Sequence, residues 1–468
     1  MAKNTHITVI SFLLLISIFH SYNNWQVSAR ETHARRSHHH HHHHHQAKKS
    51  LPSPVSSYSV SSSCASSPLP QGGLKISHRY GPCSLQGKRQ ELKQGSHNSL
   101  YNTAAADDTT ATNYAVDSSD HGEGVAMRTF GRSQGAGNFL VTIGLGTPER
   151  DFDLMFDTGS DLSWVKCQPD GGGDGGVFDP SASSTFNVTC DPSCNYRVPY
   201  LDRSSSTGYY AKDRLTIAGD ELPNFTFGCS QKTSGNFGDA AGVLALGRSN
   251  PITLISQTAA MYGQIFCYCL PTFDNSAGYL LFGNGATHQC RSSDNQFTAL
   301  VGNRDSPNQY FVDFNGITIG SARLDFRASS SSSPSMGTTM MDSGTVITKL
   351  PAAVYEFLKG EFVKSVGEFY PRVEKADKLD TCYDMEGNFN AAVIPAVVLH
   401  FDGMDLRLGP SAVVWMDDGY GQVCLAFAAK EDEKDSNIIG NHQQRGLNVL
   451  YDVENSRVEI GPGSCGGN

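Results

Sequence analysis

Two acids stand out in this 468-residue chain because each leaves an apolar run and enters a turn of small residues. Asp157 follows Leu154-Met155-Phe156 and opens Asp157-Thr158-Gly159-Ser160; Asp342 follows Thr339-Met340-Met341 and opens Asp342-Ser343-Gly344-Thr345. A lone aspartate at a strand end is usually a turn former. Two of them held about 3 Å apart are different, because both cannot ionise cheaply and they share one proton. The ionised member can activate a water, and the protonated member can polarise a carbonyl. Glycine at the third place, Gly159 and Gly344, allows the backbone to turn tightly and bring N–H donors to the carboxylates.

Such a pair must be positioned by elements that repeat, and the chain does repeat itself. The first acid is followed by Gly242-Val243-Leu244-Ala245-Leu246-Gly247 and the second by Ile438-Ile439-Gly440, with 88 residues from Asp157 to Ala245 and 98 from Asp342 to Gly440. Two related lobes are the simplest arrangement. From about Phe139 onward, short β-type runs alternate with Gly, Asn, Asp and Ser, among them "FLVTIGLGTP", "FDLMFDTGS", "FTFGC", "GYLLFG" and "FVDFNGITIG". This texture predicts an all-β body. Two helices are expected, over 251–262 and 351–366, each opened by proline.

The segment before this body reads differently. Lys3, an apolar run around Ile7 to Phe19 and the small residues Val27-Ser28-Ala29 predict a secretory signal over 1–29. The run is short of the ~20 residues needed to span a bilayer, so no membrane attachment is expected after its removal. Residues 30–130 read as a polar leader and linker rich in Ser, Pro, His and basic residues. Eight consecutive histidines, His38 to His45, fall there as low-complexity sequence, and no metal or other cofactor is expected. The net charge of −10 is unevenly spread: residues 30–95 hold ten Lys/Arg against two Asp/Glu, and residues 128–468 hold 25 against 39. A basic leader precedes an acidic body.

Twelve cysteines, two in the leader (Cys64, Cys83) and ten from Cys167 onward, fit an oxidising compartment and argue for disulfides whose connectivity spacing does not give. Asn187-Val188-Thr189 and Asn224-Phe225-Thr226 are glycosylation acceptors, Asn187 and Asn224, that fit the same route.

The stretches "LKISHRYGPCS", "GLGTPERDFDLMFDTGSDLSW", "GVLALGR", "FCYCLP", "MMDSGTVITKLP", "DTCYD", "VCLAFA" and "IIGNHQQ" together resemble the pepsin-like aspartic proteases, in their plant nepenthesin-like and chloroplast-nucleoid-DNA-binding-like branch. The resemblance implies a bilobal all-β fold with the cleft between an N-terminal lobe, 131–300, and a C-terminal lobe, 301–468. It implies a catalytic pair, Asp157 and Asp342, with Thr158 and Ser343 bonded across the lobe boundary and Ser160 and Thr345 on the outer carboxylate oxygens. It aligns Tyr200 with the tyrosine of a substrate-covering flap, with Trp164 as its indole partner, and it matches Cys382 and Cys424 to a bridge. The family places glycine where Leu201 and Ala245 stand here, so a narrowed cleft and tight packing behind the dyad are expected. The cysteine-rich insert after the first acid is reduced to Cys167 and a glycine run.

The function implied is a secreted, acid-active endopeptidase that cuts extended polypeptides as a monomer. It is made as a zymogen whose basic leader, Lys75 to Lys93, lies on the acidic cleft as an intramolecular inhibitor, held by an attraction that weakens as carboxylates protonate. Its expected destination is the apoplast, extracellular space or vacuole rather than the plastid. The rival reading is a catalytically inactive member that binds proteins, as glycosidase inhibitors of this architecture do. Serine-hydrolase chemistry is not expected, because Gly131-Arg132-Ser133-Gln134-Gly135 lies in polar linker rather than between strand and helix. Nor is nucleic-acid binding, because ten scattered basic residues without interleaved aromatics make a weak footprint.

Overall fold

A computed structural model describes residues around 70–79 and Cys83 of the leader and, with short interruptions, residues 138–465. The signal segment, the histidine run and the 131–135 motif lie outside the described residues.

The chain is all-β, in the bilobal pepsin-like arrangement. One sheet of fourteen strands carries the N-terminal lobe and continues as a platform toward the C-terminal lobe, which adds sheets of eight and four strands. Four strands of the large sheet matter most here: β1 (Leu74–His78), β2 (Phe139–Leu145), β3 (Arg150–Asp157) and β4 (Trp164–Lys166).

The alternation of side chains explains why the first acid ends up where it does. Along β3, Phe152, Leu154 and Phe156 enter the main core, while Met155 faces the other way into a smaller cluster with Trp164, Leu140 and Val243. A strand covered on both faces reads as a continuous apolar run, and "LMF" before Asp157 is that run. β3 pairs antiparallel with β2 and parallel with Gly242–Ala245, placing Asp157 opposite Ala245. The second half repeats the device: Thr338–Met341 pairs in parallel with Asn437–Ile439, Met341 opposite Ile439.

The C-terminal helix expected over 351–366 is present as Ala352–Val366, with Val354, Leu358, Phe362 and Val366 buried on one face at the spacing that one helix stripe requires. The 251–262 segment instead breaks at Thr258 into two single turns, Leu254–Gln257 and Ala259–Tyr262. A further helix, Gly283–Cys290, was not foreseen. Its two glycines obscure it, and burial of Ala286 and a bond from Cys290 to Cys267 hold it. The last strands, Leu447–Asp452 and Arg457–Pro462, leave the C-terminal lobe and join the large sheet beside Ile265–Cys269.

The leader contributes a strand that composition did not reveal. β1 lies between Ala277–Phe282 and β2, antiparallel to both, with Leu74, Ile76 and His78 buried. Five residues with two aliphatics give no periodic signal of their own. Their extended form comes from backbone partners on both sides. Lys75 therefore belongs to a strand inside the sheet rather than to a segment draped over a cleft.

Candidate active site

Each acid sits at the tip of its parallel strand pair and is buried: Asp157 is 8 % and Asp342 4 % exposed. The two carboxyls face one seam, near enough that the charge of Asp342 acts on Asp157. In each turn the glycine N–H donates to the inner oxygen, Gly159 N to Asp157 Oδ1 and Gly344 N to Asp342 Oδ1, both at 2.8 Å. On the outer side Ser160 Oγ donates to Asp157 Oδ2, and Thr345 Oγ1 donates to Asp342 Oδ2 at 2.5 Å. Glycine is required at both third positions by space. A Cβ on Gly159 would lie 2.6 Å from Asp342 Oδ1, and one on Gly344 would collide with Asp157 Oδ1.

The turns are locked together. Thr158 N donates to Ser343 Oγ at 3.0 Å and Ser343 N to Thr158 Oγ1 at 2.9 Å, while Thr158 Oγ1 donates to the Met341 carbonyl at 3.2 Å. The glycine carbonyls are held crosswise as well. Gln309 Nε2 donates to Gly159 O and Asn138 Nδ2 to Gly344 O, each at 3.2 Å. Burial, then the charge of Asp342, raise the Asp157 pKa from 3.8 to about 7, against the lowering effect of the Ser160 and Gly159 bonds. A pair so placed keeps one proton between its members.

Tyr200 lies in the hairpin turn between Asn195–Pro199 and Ser205–Ile217. Its hydroxyl accepts a 2.7 Å bond from Trp164 Nε1, and Phe237 packs edge-on to both rings. Burial, followed by the nearby Asp157 charge, pushes the phenol pKa upward, so Tyr200 stays protonated. Leu201 is 64 % exposed at the turn, and its bulk stands in solvent. Replacing Trp164 by Phe keeps the ring and removes the only indole donor to Tyr200. A buried bond of this kind is worth about 1 kcal/mol, so peptide hydrolysis by Trp164→Phe is expected to fall about fivefold in kcat/KM. Steady-state kinetics beside Tyr200→Phe check this, and an unchanged value would detach the indole from the cleft.

Cys382 and Cys424, facing each other on paired strands, are bonded, as are Cys167–Cys229, Cys190–Cys194 and Cys269–Cys465. No cysteine among the described residues is free. Asn187 and Asn224 are both exposed, at Asn187–Val188 and within Asp220–Ser234.

Several residues behind the dyad escaped the sequence analysis. Ser163 Oγ accepts from Ala245 N at 3.0 Å, and Thr348 Oγ1 accepts from Gly440 N at 3.0 Å. Each hydroxyl stands six residues after its acid, a spacing present in both halves of the sequence. The two positions they serve differ. Ala245 is fully buried in its strand with its methyl accommodated, whereas a Cβ on Gly440 would lie 2.5 Å from the Val346 carbonyl oxygen. Gln444 is also fully buried. Its amide donates to the carbonyls of Ile439 at 2.9 Å and Asp342 at 3.4 Å, and its oxygen accepts from Tyr268. No spacing rule marks it. Asn441, whose amide holds the Ser343 carbonyl at 2.9 Å, lies in the same turn.

Two lobes, each offering a strand-borne acid to a shared site with reciprocal Thr158–Ser343 bonding, define the pepsin-like class. Comparison with known proteins agrees. Residues 139–193 and 188–284 match the xylanase inhibitor N-terminal family and 309–462 the xylanase inhibitor C-terminal family. An aspartyl protease family protein of Arabidopsis thaliana is 34 % identical over 448 residues, covering 87 % of this chain and 91 % of that one. Aspartic proteinase nepenthesin-1 of Nepenthes gracilis is 32 % identical over 356 residues, covering 71 % and 79 %. Basic 7S globulin from soybean shares the fold with a TM-score of 0.56 at 21 % identity, over 69 % of this chain and 92 % of that one. The chain belongs to the pepsin-like aspartyl protease family, in the plant branch that includes the nepenthesins.

Proposed function

We propose that the protein is an aspartic endopeptidase in which Asp157 and Asp342 activate one water for attack on a peptide carbonyl. The observation that carries this reading is the convergence of two buried carboxyls at one seam, each fixed by its own glycine N–H and hydroxyl. The ionised member takes a proton from the water as the water oxygen bonds to the carbonyl carbon, while the protonated member donates to the carbonyl oxygen. As the C–N bond breaks, the proton taken from water passes to the leaving amine and the gem-diol hydroxyl returns its proton to the second carboxyl. Tyr200, carried on a hairpin over the pair, supplies the cover such chemistry needs, and extended polypeptides are the substrates.

The zymogen reading rests on β1. A leader strand embedded between β2 and Ala277–Phe282 ties the segment to the body, and removing the leader requires both a cut and withdrawal of that strand. Secretion to the apoplast or delivery to a vacuole is supported by the five described disulfides and the N-terminal apolar run. No helix among the described residues is long and apolar enough to cross a membrane. Asn187 and Asn224 are the proposed glycan acceptors.

The alternative, a catalytically silent protein-binding module, draws on the family models, which are described by xylanase inhibitors. The complete hydrogen-bonding set of both acids favours the enzyme. Lowering the full chain to about pH 4, near ordinary carboxylate pKa values, is expected to produce self-trimming and cleavage of an unfolded protein substrate. Absence of cleavage anywhere between about pH 3 and 6 would leave the binding module.

The pH dependence has a definite sign. The folded Asp157 pKa of about 7 lies above its ordinary 3.8. The shared proton is therefore retained up to about neutrality, and hydrolysis is expected to fade as pH rises through about 7. By linkage, the same group contributes stability that is fully present below 3.8 and lost as pH rises toward about 7. Melting temperatures of wild type measured from pH 4 to 8 check this: the fall is expected to be shallower in Asp157→Asn.

A further inference from the structure

β1 is the strand that holds the large sheet in one piece. On one side it pairs with Ala277–Phe282, Leu74 opposite Leu280 and Ile76 opposite Gly278; on the other it pairs with β2, Ile76 opposite Val141 and His78 opposite Phe139. Beyond Ala277–Phe282 lie Ile265–Cys269 and then the last two strands of the chain, and beyond β2 lies β3 with Asp157 at its tip. Among the described strands no other pairing joins these two parts of the sheet. Taken out, β1 would leave two facing rows of unpaired N–H and C=O groups in the middle of the molecule. Proteins confine such edges to the rim of a sheet and cover or blunt them even there.

Side chains seat the strand as firmly as the backbone does. Leu74 and Ile76 belong to the main core together with Phe139, Phe156 and Leu280, so they pack in the same apolar mass as the residue before Asp157. Gly73 runs so close to the neighbouring strand that a Cβ there would stand 2.9 Å from Leu281 Cδ2. Past the strand, Arg79 is fully buried, and its guanidinium fills the space beside Gly238, where an added Cβ would strike it. Arg79 N donates to the Asn138 carbonyl at 3.0 Å, and Asn138 Nδ2 donates to Gly344 O in the turn of Asp342. Through that one residue the leader bears on the geometry of the second acid.

No covalent tie adds to this seat. The ten cysteines from Cys167 onward are bonded to one another, so no disulfide joins the leader to the body. Hydrolysis of one peptide bond between Cys83 and Asn138 would leave β1 held by the sheet alone. We propose that it stays: residues 70–83 are a permanent strand of the working enzyme, and the processed protein is a two-chain complex rather than a body stripped of its leader. The slot takes an extended segment with aliphatics two residues apart and an arginine three residues further on. The inference rests on the reading of residues 30–130 as a leader that is cut, and it states what the cut leaves behind.

The test uses the full chain carrying Asp157→Asn, which prevents self-cleavage, with the recognition sequence of a third protease inserted after Ser119. After complete cutting, verified on a denaturing gel, native size exclusion at pH 7 and at pH 4 is followed by intact mass measurement of the body peak. The leader fragment is expected in that peak at one copy per body at both pH values, and is expected to leave only at denaturant concentrations that unfold the body. A folded body without the fragment at either pH overturns the proposal, whether the slot is then empty or filled by another segment. Amide exchange of residues 74–78 in the same peak shows where the fragment is held: protection is expected to stay within about twofold of the uncut chain. A fragment that co-elutes with 74–78 unprotected is bound elsewhere, which also overturns the proposal. Neither readout is hydrolysis, so failure of the protease reading and failure of the retained strand are seen separately.

Discussion

Asp157→Asn is expected to lower peptide hydrolysis at least about 10³-fold with the fold retained. The substitution keeps the shape and the Oδ1 acceptor for Gly159 N, so positioning survives. What disappears is the ability to hold or release a proton, and general acid–base catalysis of this kind contributes about 10²- to 10⁴-fold. Because the two acids act as one unit, Asp342→Asn and the double variant are expected to be equally inactive rather than additively worse. The comparison requires wild type and variants trimmed identically by a third protease, with initial rates taken at about pH 4. Retention of a tenth of wild-type activity by either single variant would remove the dyad from the chemistry.

Gly440→Ala is expected to be strongly damaging although it adds a single methyl. The added methyl meets main chain, with Val346 O at 2.5 Å and Val346 C at 2.8 Å, so no side chain can rotate out of the way. Overpacking of this sort costs roughly 3 kcal/mol. The displaced turn carries Asn441, which holds the Ser343 carbonyl, so activity is expected to fall with stability. The reciprocal change in the other lobe, Ala245→Gly, loses only a methyl and some strand rigidity, about 1 kcal/mol. Denaturant unfolding of both variants at one pH checks the asymmetry. If Gly440→Ala unfolds within about 0.5 kcal/mol of wild type, the close approach behind Asp342 is looser than described.

Local features were the legible ones. The two acid turns could be read because an apolar run, an Asp, a hydroxyl residue, a glycine and a second hydroxyl occur twice at similar distances, and Ala352–Val366 because Pro351 opens it. Tyr200 and Trp164 were found by alignment to a family hairpin rather than by any periodicity. Nonlocal features stayed hidden. β1 is a strand only because Ala277–Phe282 and β2 leave a place between them, and Gln444 matters only because its amide lies beside Asp342 O. The Cys267–Cys290 and Cys269–Cys465 pairs depend on which strands become neighbours. Ser163 and Thr348 were a missed opportunity, since their equal offset from the two acids was already present in the sequence.

The crosswise grip has a consequence for what can be divided. Thr158 is completed by Ser343, Gly159 by Gln309, and Gly344 by Asn138, so each half borrows its geometry from the other. Split between the repeats, neither fragment carries a weakened copy of the reactive centre; each carries none. Any chemistry at this seam is a property of association, and it should reappear in full only when the fragments recombine.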